Sequence, residues 1–253
     1  FRSYAADGSV ISRLNDQGAS YYLKRDEIPQ PVIDAVVCME DQRFYQHRGV
    51  DFRALVRAAK SLLENRKITQ GGSTITMQLA RNVFLTQEKT WQRKVEEIFI
   101  AQNLEKKYTK DQILEFYLNN IYYGNGYYGI GAAGRGYFDS EVGDLDLSQI
   151  AFLCAIPNNP TVYDPVTHMD HAIERRDRIL GKMRDDGKIT QMAYAAAVAE
   201  NITLKRPEAM EKNNYVETYA YYCATRALME QAGFVFQYQF ATEGEREIGR
   251  AHV

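Results

Sequence analysis

No apolar run in this 253-residue sequence approaches the ~20 residues that a bilayer-spanning helix requires. The chain opens on Phe1 without a signal-peptide pattern, so it is expected to be a piece of a longer protein. Cysteine is scarce. Cys38, Cys154 and Cys223 are far apart, odd in number and set among apolar residues, which fits small buried hydrophobes better than a disulfide framework or a zinc site. An excess of one charge is lacking too: the net charge of −2 gives no overall basic field, and no nucleic-acid partner is expected. What is present is globular. With 45% hydrophobic and 25% charged residues there is material for a sizeable core, in one large domain or two small ones.

Strand signals are confined to the start, where Asp7-Gly8, Val10-Ile11 and the run from Ala19 to Leu23 suggest a small hairpin in a lead-in of residues 1–27. The rest has helical period. Pro29 and Pro31 introduce a first helix. Asp51 caps a second, with Leu55, Val56, Ala59, Leu62 and Leu63 as its inner stripe. A third covers residues 73–82 with Ser73 near the cap, and a long fourth from Thr90 carries Val95, Ile98, Phe99 and Gln102 on one face. Thr109 and Gln112 form a capping box for a fifth, with Leu114, Tyr117, Leu118 and Ile121 at core spacing. Further helices are expected at residues 147–155, 170–184 and 190–200. The class is mainly α.

Two motif matches do not carry chemistry. Residues 124–136 contain GxGxxG twice, but a dinucleotide fingerprint follows a strand, whereas this stretch follows a helix and reads as an interhelical loop. Asp144-Leu145-Asp146 imitates the DxD of nucleotide-sugar enzymes but sits where a helix cap belongs. His168 and His171 have ligand spacing without a third ligand nearby, which suits a surface helix start.

The stretch 33–49 carries chemistry. Ile33, Val36 and Val37 recur at helical spacing, and Glu40 falls next on that apolar face, one step before Asp41. Burial against apolar neighbours disfavours an ionised carboxylate, which is how general acids and bases are made, so Glu40 is the first catalytic candidate. Phe44, His47 and Gly49 follow where the pattern breaks. A second acid, Glu97, lies one turn from Arg93 and shares a flank with Lys94. Ser73, Thr74, Gln78 and Arg81 present hydroxyls, an amide and a guanidinium from a glycine-introduced helix start, a chemistry suited to phosphate oxygens. Two acids with a basic, hydroxyl-rich site between them suggest transfer or hydrolysis at a sugar carbon, with a phosphate as ligand or leaving group.

Five ordered segments then resemble a known family. They are Glu40-Asp41-x-x-Phe44-x-x-His47-x-Gly49; Gly71-Gly72-Ser73-Thr74-Ile75-x-x-Gln78-Leu79-x-x-Asn82; Arg93-Lys94-x-x-Glu97; Lys110-x-x-Ile113-Leu114-Glu115-x-Tyr117-Leu118-Asn119; and Arg175-Arg176-x-x-Ile179-Leu180. Together they resemble the peptidoglycan glycosyltransferases, glycosyltransferase family 51, over roughly residues 24–190. The resemblance implies a lysozyme-like α domain over residues 28–200, with a smaller membrane-facing jaw lobe near residues 52–68 and an extension or linker over 201–253. It also implies polymerisation of lipid II into glycan strands. The partners are then lipid II, the growing lipid-linked glycan chain and the outer surface of the bacterial membrane. A transpeptidase domain and an N-terminal membrane anchor are expected in the full-length chain.

By the same resemblance, Glu40 is the base that deprotonates the acceptor hydroxyl, and Glu97 stands by the pyrophosphate directly or through a divalent ion, Mg or Mn. Arg81, Arg93 and Lys94 offset leaving-group charge, Ser73, Thr74, Gln78 and Asn82 position the sugar-phosphate, and Asp41, Phe44 and His47 shape the Glu40 loop. Lys110, Glu115, Asn119, Arg175 and Arg176 are assigned to structure. Asp139-Ser140, and Cys38-Met39 before Glu40, depart from the usual pattern without touching these roles, and neither Ser-x-x-Lys nor Lys-Thr-Gly of transpeptidases occurs. The rivals are a lysozyme-like muramidase or lytic transglycosylase, which has no need of a pyrophosphate site, and a non-catalytic module that binds cell-wall precursors.

Overall fold

The computed structural model describes residues 2–4, 10–13, 22–65, 71–85 and 91–205; of residues 2–4, 10–13, 59 and 62–65 it gives the backbone only. The chain divides into two compact units, Phe1–Ala19 with Met210–Val253, and Ser20–Ala209. Of the first, the described part is an antiparallel pair of strands, β1 (Arg2–Tyr4) and β2 (Val10–Arg13), with Arg2 opposite Arg13 and Ser3 opposite Ser12. Residues 19–21 of the expected hairpin, the aromatic tail from residue 213 and Cys223 lie outside the described residues, and Tyr22 and Leu23 are not in a strand.

The second unit is helical: α1 (Gln30–Glu40), α2 (Phe52–Asn65), α3 (Ile75–Phe84), α4 (Trp91–Lys107), α5 (Lys110–Asn120), α6 (Ile130–Phe138), α7 (Leu147–Ala155), α8 (Met169–Asp185) and α9 (Gln191–Ala199). Caps set their starts. Thr109 with Gln112 and Asp146 with Gln149 form capping boxes before α5 and α7, so Asp146 of the DxD mimic is a helix cap. The core centres on α7, which is buried on every face from Ile150 to Ala155 and is packed by α1 and α8. Cys154, on α7, and Cys38, on α1, are buried free thiols.

Three expectations need correction. Residues 130–138 of the glycine-rich segment form helix α6 rather than a loop. The glycines permit close packing: a methyl at Gly136 would overlap the Tyr127 ring, and one at Gly129 (φ +83°) would lie 2.7 Å from the Asn119 carbonyl oxygen. Val56 does not belong to the inner stripe of α2; it is 68% exposed beside Phe52 at 66%, while Leu55 packs against Val50, Met77 and Ala101. Phe99 on α4 is likewise exposed, and the inner face is Glu97, Ala101 and Leu104. On α4 the cause is plain. Counting apolar residues misplaces the stripe there, because a charged side chain with partners occupies the inner face and turns an apolar one outward.

Candidate active site

Glu40 ends α1 after Ile33 and Val36 have gone into the core, and Asp41 follows as the C-terminal cap. One carboxylate oxygen, Oε2, accepts a hydrogen bond from Gln78 Nε2 on α3 at 3.0 Å; the other, Oε1, accepts one from Arg175 Nη2 on α8 at 3.2 Å. The Glu40 and Arg175 side chains are 14% and 7% exposed. Tyr117 on α5 donates its hydroxyl to Gln78 Oε1 at 3.1 Å, so three helices meet at one carboxylate and a fourth holds its amide partner. Its surroundings are therefore not simply apolar, because a guanidinium faces one oxygen. The Cys154 thiol is pushed up to about 12 by burial and then by the charge of Glu40, so it stays protonated and offers no competing nucleophile.

The following loop is tied down residue by residue. Buried Asp41 accepts from the Ile75 N–H at 3.1 Å and pairs with His47 Nε2 at 2.8 Å, placing an anion at the N-terminus of α3. Phe44 is fully buried, with the Lys110 ammonium 4.3 Å from its ring centre and the His47 ring edge-on. Lys110 has a lowered pKa because burial disfavours its charge, opposed by its 2.6 Å ion pair with Glu105. Gly49 adopts φ +82°, and a side chain there would meet the Ala101 backbone at 2.8 Å. Thr74, not Ser73, caps α3: its hydroxyl accepts from Met77 N at 3.1 Å and donates to the Gly49 carbonyl at 2.6 Å. Both capacities of that buried hydroxyl are thus taken up by the fold.

A second centre surrounds Glu97, which is 1% exposed. Arg93 donates to one of its oxygens, and Lys94 Nζ donates to the other at 2.7 Å and to Ser73 Oγ at 2.7 Å. Such pairs on an exposed helix are worth only about 0.2–0.5 kcal/mol, but here the acid faces inward and the cations close over it. α3 links the two centres, because Ser73 just before it reaches Lys94 and Gln78 within it reaches Glu40. Arg81 and Asn82, three and four residues beyond Gln78, share its face and are partly exposed. Among the described residues neither side chain has a hydrogen-bond or ion-pair partner, which leaves a guanidinium and an amide available. Arg81 lies near enough to Tyr117 to oppose the rise that burial imposes on that phenol.

The residues assigned to structure divide. Glu115 and Asn119 hold the incoming segment, Glu115 through Tyr22 and the Arg25 N–H, Asn119 through both backbone groups of Leu23. Arg176 donates to Ser148 Oγ and to the carbonyls of Val198 and Glu200 behind α9. Arg175 does not fit that assignment, since it touches Glu40. The signal was in the sequence: Arg175 falls on the apolar face of α8 with Ala172, Ile179 and Met183, as Glu40 does on α1.

A resident divalent ion does not fit the Glu97 centre. Arg93 engages one of its oxygens and Lys94 the other, so neither faces an open position where an ion resident in the protein alone would sit. His168 immediately precedes α8, and its ring stacks on that of His171.

A carboxylate fixed by an amide and a guanidinium, joined through one helix to a cation-covered centre, is an arrangement whose chemistry suits group transfer in a mainly helical domain. The sequence matches the Transglycosylase family over residues 7–184. It is 40% identical to penicillin-binding protein 4 of Bacillus subtilis over 245 residues, 96% of this chain and 39% of that protein. It is 46% identical to penicillin-binding protein 1F of the same organism over 79% of this chain and 28% of that protein, and 42% identical to penicillin-binding protein 1A of Escherichia coli over 79% and 23%. A crystal structure of penicillin-binding protein 1A from Haemophilus influenzae aligns with 88% of the chain and 24% of its own, at 22% identity and a TM-score of 0.45. The chain belongs to the transglycosylase family, the glycosyltransferase domain of class A penicillin-binding proteins. It spans well under half the length of these curated relatives.

Proposed function

We propose that the domain polymerises lipid II into β-1,4-linked glycan strands with release of undecaprenyl pyrophosphate. Glu40 takes the proton from the acceptor 4-hydroxyl as its oxygen attacks the donor anomeric carbon. The carbon–oxygen bond to the pyrophosphate breaks with its electron pair leaving on the phosphate, and the anomeric configuration inverts. The single observation carrying this reading is the Glu40 carboxylate, held at the end of α1 by Gln78 and Arg175. Both contacts fix its direction, and a general base must be aimed before it can act. Arg81, Arg93 and Lys94 meet the charge that develops on the leaving pyrophosphate, and Ser73 and Asn82 flank the sugar-phosphate.

A donor with a lipid tail keeps that tail in the bilayer, so the domain works at the outer face of the cell membrane, attached to the longer chain whose anchor and transpeptidase domain we infer from its relatives. Among the described residues no helix is long and apolar enough to cross a membrane. A muramidase would have no use for the cations around Glu97. The test is incubation of the chain with labelled lipid II in detergent and, separately, with preformed uncrosslinked glycan. Polymer from the first and intact glycan in the second is expected; cleavage of the glycan without polymer formation would replace the synthase reading with a hydrolase.

A further inference from the structure

The Arg175 side chain, 7% exposed, has one hydrogen-bond partner among the described residues, Glu40 Oε1, and its Nε is buried without any. A single contact at Nη2 fixes one point of a guanidinium but not the orientation of its plane. That plane is set from another direction. Arg175 Cζ lies over the Tyr163 ring, 5.0 Å from its centre, and the Tyr163 hydroxyl has no hydrogen-bond partner among the described residues. The ring of Tyr163, not its hydroxyl, is what the structure uses.

Tyr163 stands on the turn of residues 159–168 between α7 and α8, where its N–H donates to the Asn159 carbonyl at 2.9 Å. Asp164 pins that turn. Its Oδ1 accepts from the Val166 N–H at 2.9 Å, its Oδ2 from the Thr167 hydroxyl at 2.9 Å, and its carbonyl from the His168 N–H at 2.8 Å. Oδ1 also accepts from Asn125 Nδ2 at 2.8 Å, and the same amide donates to the Tyr137 hydroxyl at 2.9 Å. Asn125 has φ +51°, a left-handed conformation that asparagine adopts more readily than most side chains. The glycine-rich segment, which carries no nucleotide chemistry, thus braces the turn that presents Tyr163. From Asn125 through Asp164, Tyr163 and Arg175, the contacts end on the Glu40 carboxylate.

We propose that Tyr163 is a positioning residue for the general base: its ring face holds the Arg175 guanidinium in the plane that keeps Nη2 on Glu40 Oε1, and the hydrogen bond from Asn125 to Asp164 steadies the turn that carries the ring. No proton passes through Tyr163, and its effect reaches the reaction only through Arg175. The consequence for catalysis rests on the proposed function; the packing of Arg175 does not.

The experiment compares wild type, Tyr163→Phe, Tyr163→Leu, Arg175→Gln and the double variant Tyr163→Leu/Arg175→Gln in steady-state polymerisation of labelled lipid II. Tyr163→Leu is expected to lower kcat about tenfold, a part of the roughly 10²–10⁴-fold that a positioned base supplies, with KM within about twofold. Tyr163→Phe keeps the ring face and is expected within about twofold of wild type. Added to Arg175→Gln, Tyr163→Leu is expected to cost no more than about twofold further, because its partner is already gone. A role confined to packing of the turn would multiply the two losses in the double variant, and that result would overturn the proposal. So would a Tyr163→Phe as impaired as Tyr163→Leu, which would assign the effect to the hydroxyl. Pentafluorophenylalanine in place of Tyr163 keeps the shape of phenylalanine but reverses the charge of the ring face. It is expected to lose about threefold in kcat relative to Tyr163→Phe even if Tyr163→Leu fails to fold, and equality of the two would overturn the contact with the cation. The side-chain N–H resonances of Arg175, assigned against Arg175→Gln, give a readout independent of turnover. They are expected to be shielded by the ring in wild type and Tyr163→Phe and to move downfield in Tyr163→Leu; no movement would overturn the proposal. A wild type that shows this shift but never polymerises lipid II would sink the proposed function and leave the placement of Arg175 by Tyr163 standing.

Discussion

Replacing Glu97 by Gln preserves shape and removes one negative charge from beneath two cations. The wild-type carboxylate is 1% exposed, and Arg93 and Lys94, at 13% and 28%, engage one oxygen each. Removing one partner of a fully buried pair costs about 3–5 kcal/mol. Because both cations keep a partial path to water, about 2–3 kcal/mol is expected here, which for a domain of this size lowers Tm by about 4–12 °C. Inorganic pyrophosphate would supply the missing charge. The variant is therefore expected to bind it at least about tenfold more tightly than wild type, which corresponds to about 1.4 kcal/mol, and to recover most of its lost Tm. Thermal unfolding with and without pyrophosphate, followed by calorimetric titration, reads both quantities. An unchanged Tm would refute the view of Glu97 as an internal counter-ion. Weaker pyrophosphate binding by the variant would show that Glu97 contributes attraction to the ligand, as it would through a bridging metal.

Other outcomes follow from the same geometry. Chelation of divalent ions by EDTA is expected to leave polymerisation within about twofold, a change under about 0.5 kcal/mol, because Glu97 is already compensated by Arg93 and Lys94; a tenfold loss restored by Mg would contradict that. Thr74→Val removes the α3 cap and leaves the Gly49 carbonyl unpaired, so urea unfolding should show a loss of about 2 kcal/mol, with Thr74→Ser near wild type. Burial of Asp51 raises its pKa, but the hydrogen bond from the Ala54 N–H and the pairing with Arg43 outweigh it, so the folded value lies below the ordinary one. Its stabilisation is then complete above the unfolded value of about 3.9 and disappears as pH falls through the lower folded value. The Tm gap between wild type and Asp51→Asn should be full at pH 7 and close in the acid range; a gap that widens there would reverse the sign.

The fold was legible where capping chemistry and periodicity agree, as at Thr109 and Asp146, whose side chains accept from the N–H groups three residues on. It was illegible where composition misleads. Residues 130–138 contain three glycines and so read as a loop, yet they form α6, where Gly136 lets the Tyr127 ring pack closer than any side chain would permit. On α4, Glu97 faces inward and Phe99 outward, an inversion that only the partners of Glu97 explain. The site was legible at Glu40 because a charge on an apolar face is visible in sequence. The same reasoning extends to Arg175 on α8, but that Arg175 reaches Glu40 and not some other acid is a long-range fact, 135 residues apart in the chain, which no local pattern encodes.

The most direct test of the central claim is polymerisation of labelled lipid II by wild type and by Glu40→Gln, side by side. The substituted amide would retain a carbonyl acceptor for Arg175 but could not take a proton at the reaction pH. Wild type is expected to give long glycan strands, and Glu40→Gln to lose about 10²–10⁴-fold in rate, the contribution of a positioned general base, while remaining folded by circular dichroism. A folded Glu40→Gln that polymerises at the wild-type rate would show that the proton goes elsewhere and would contradict the account.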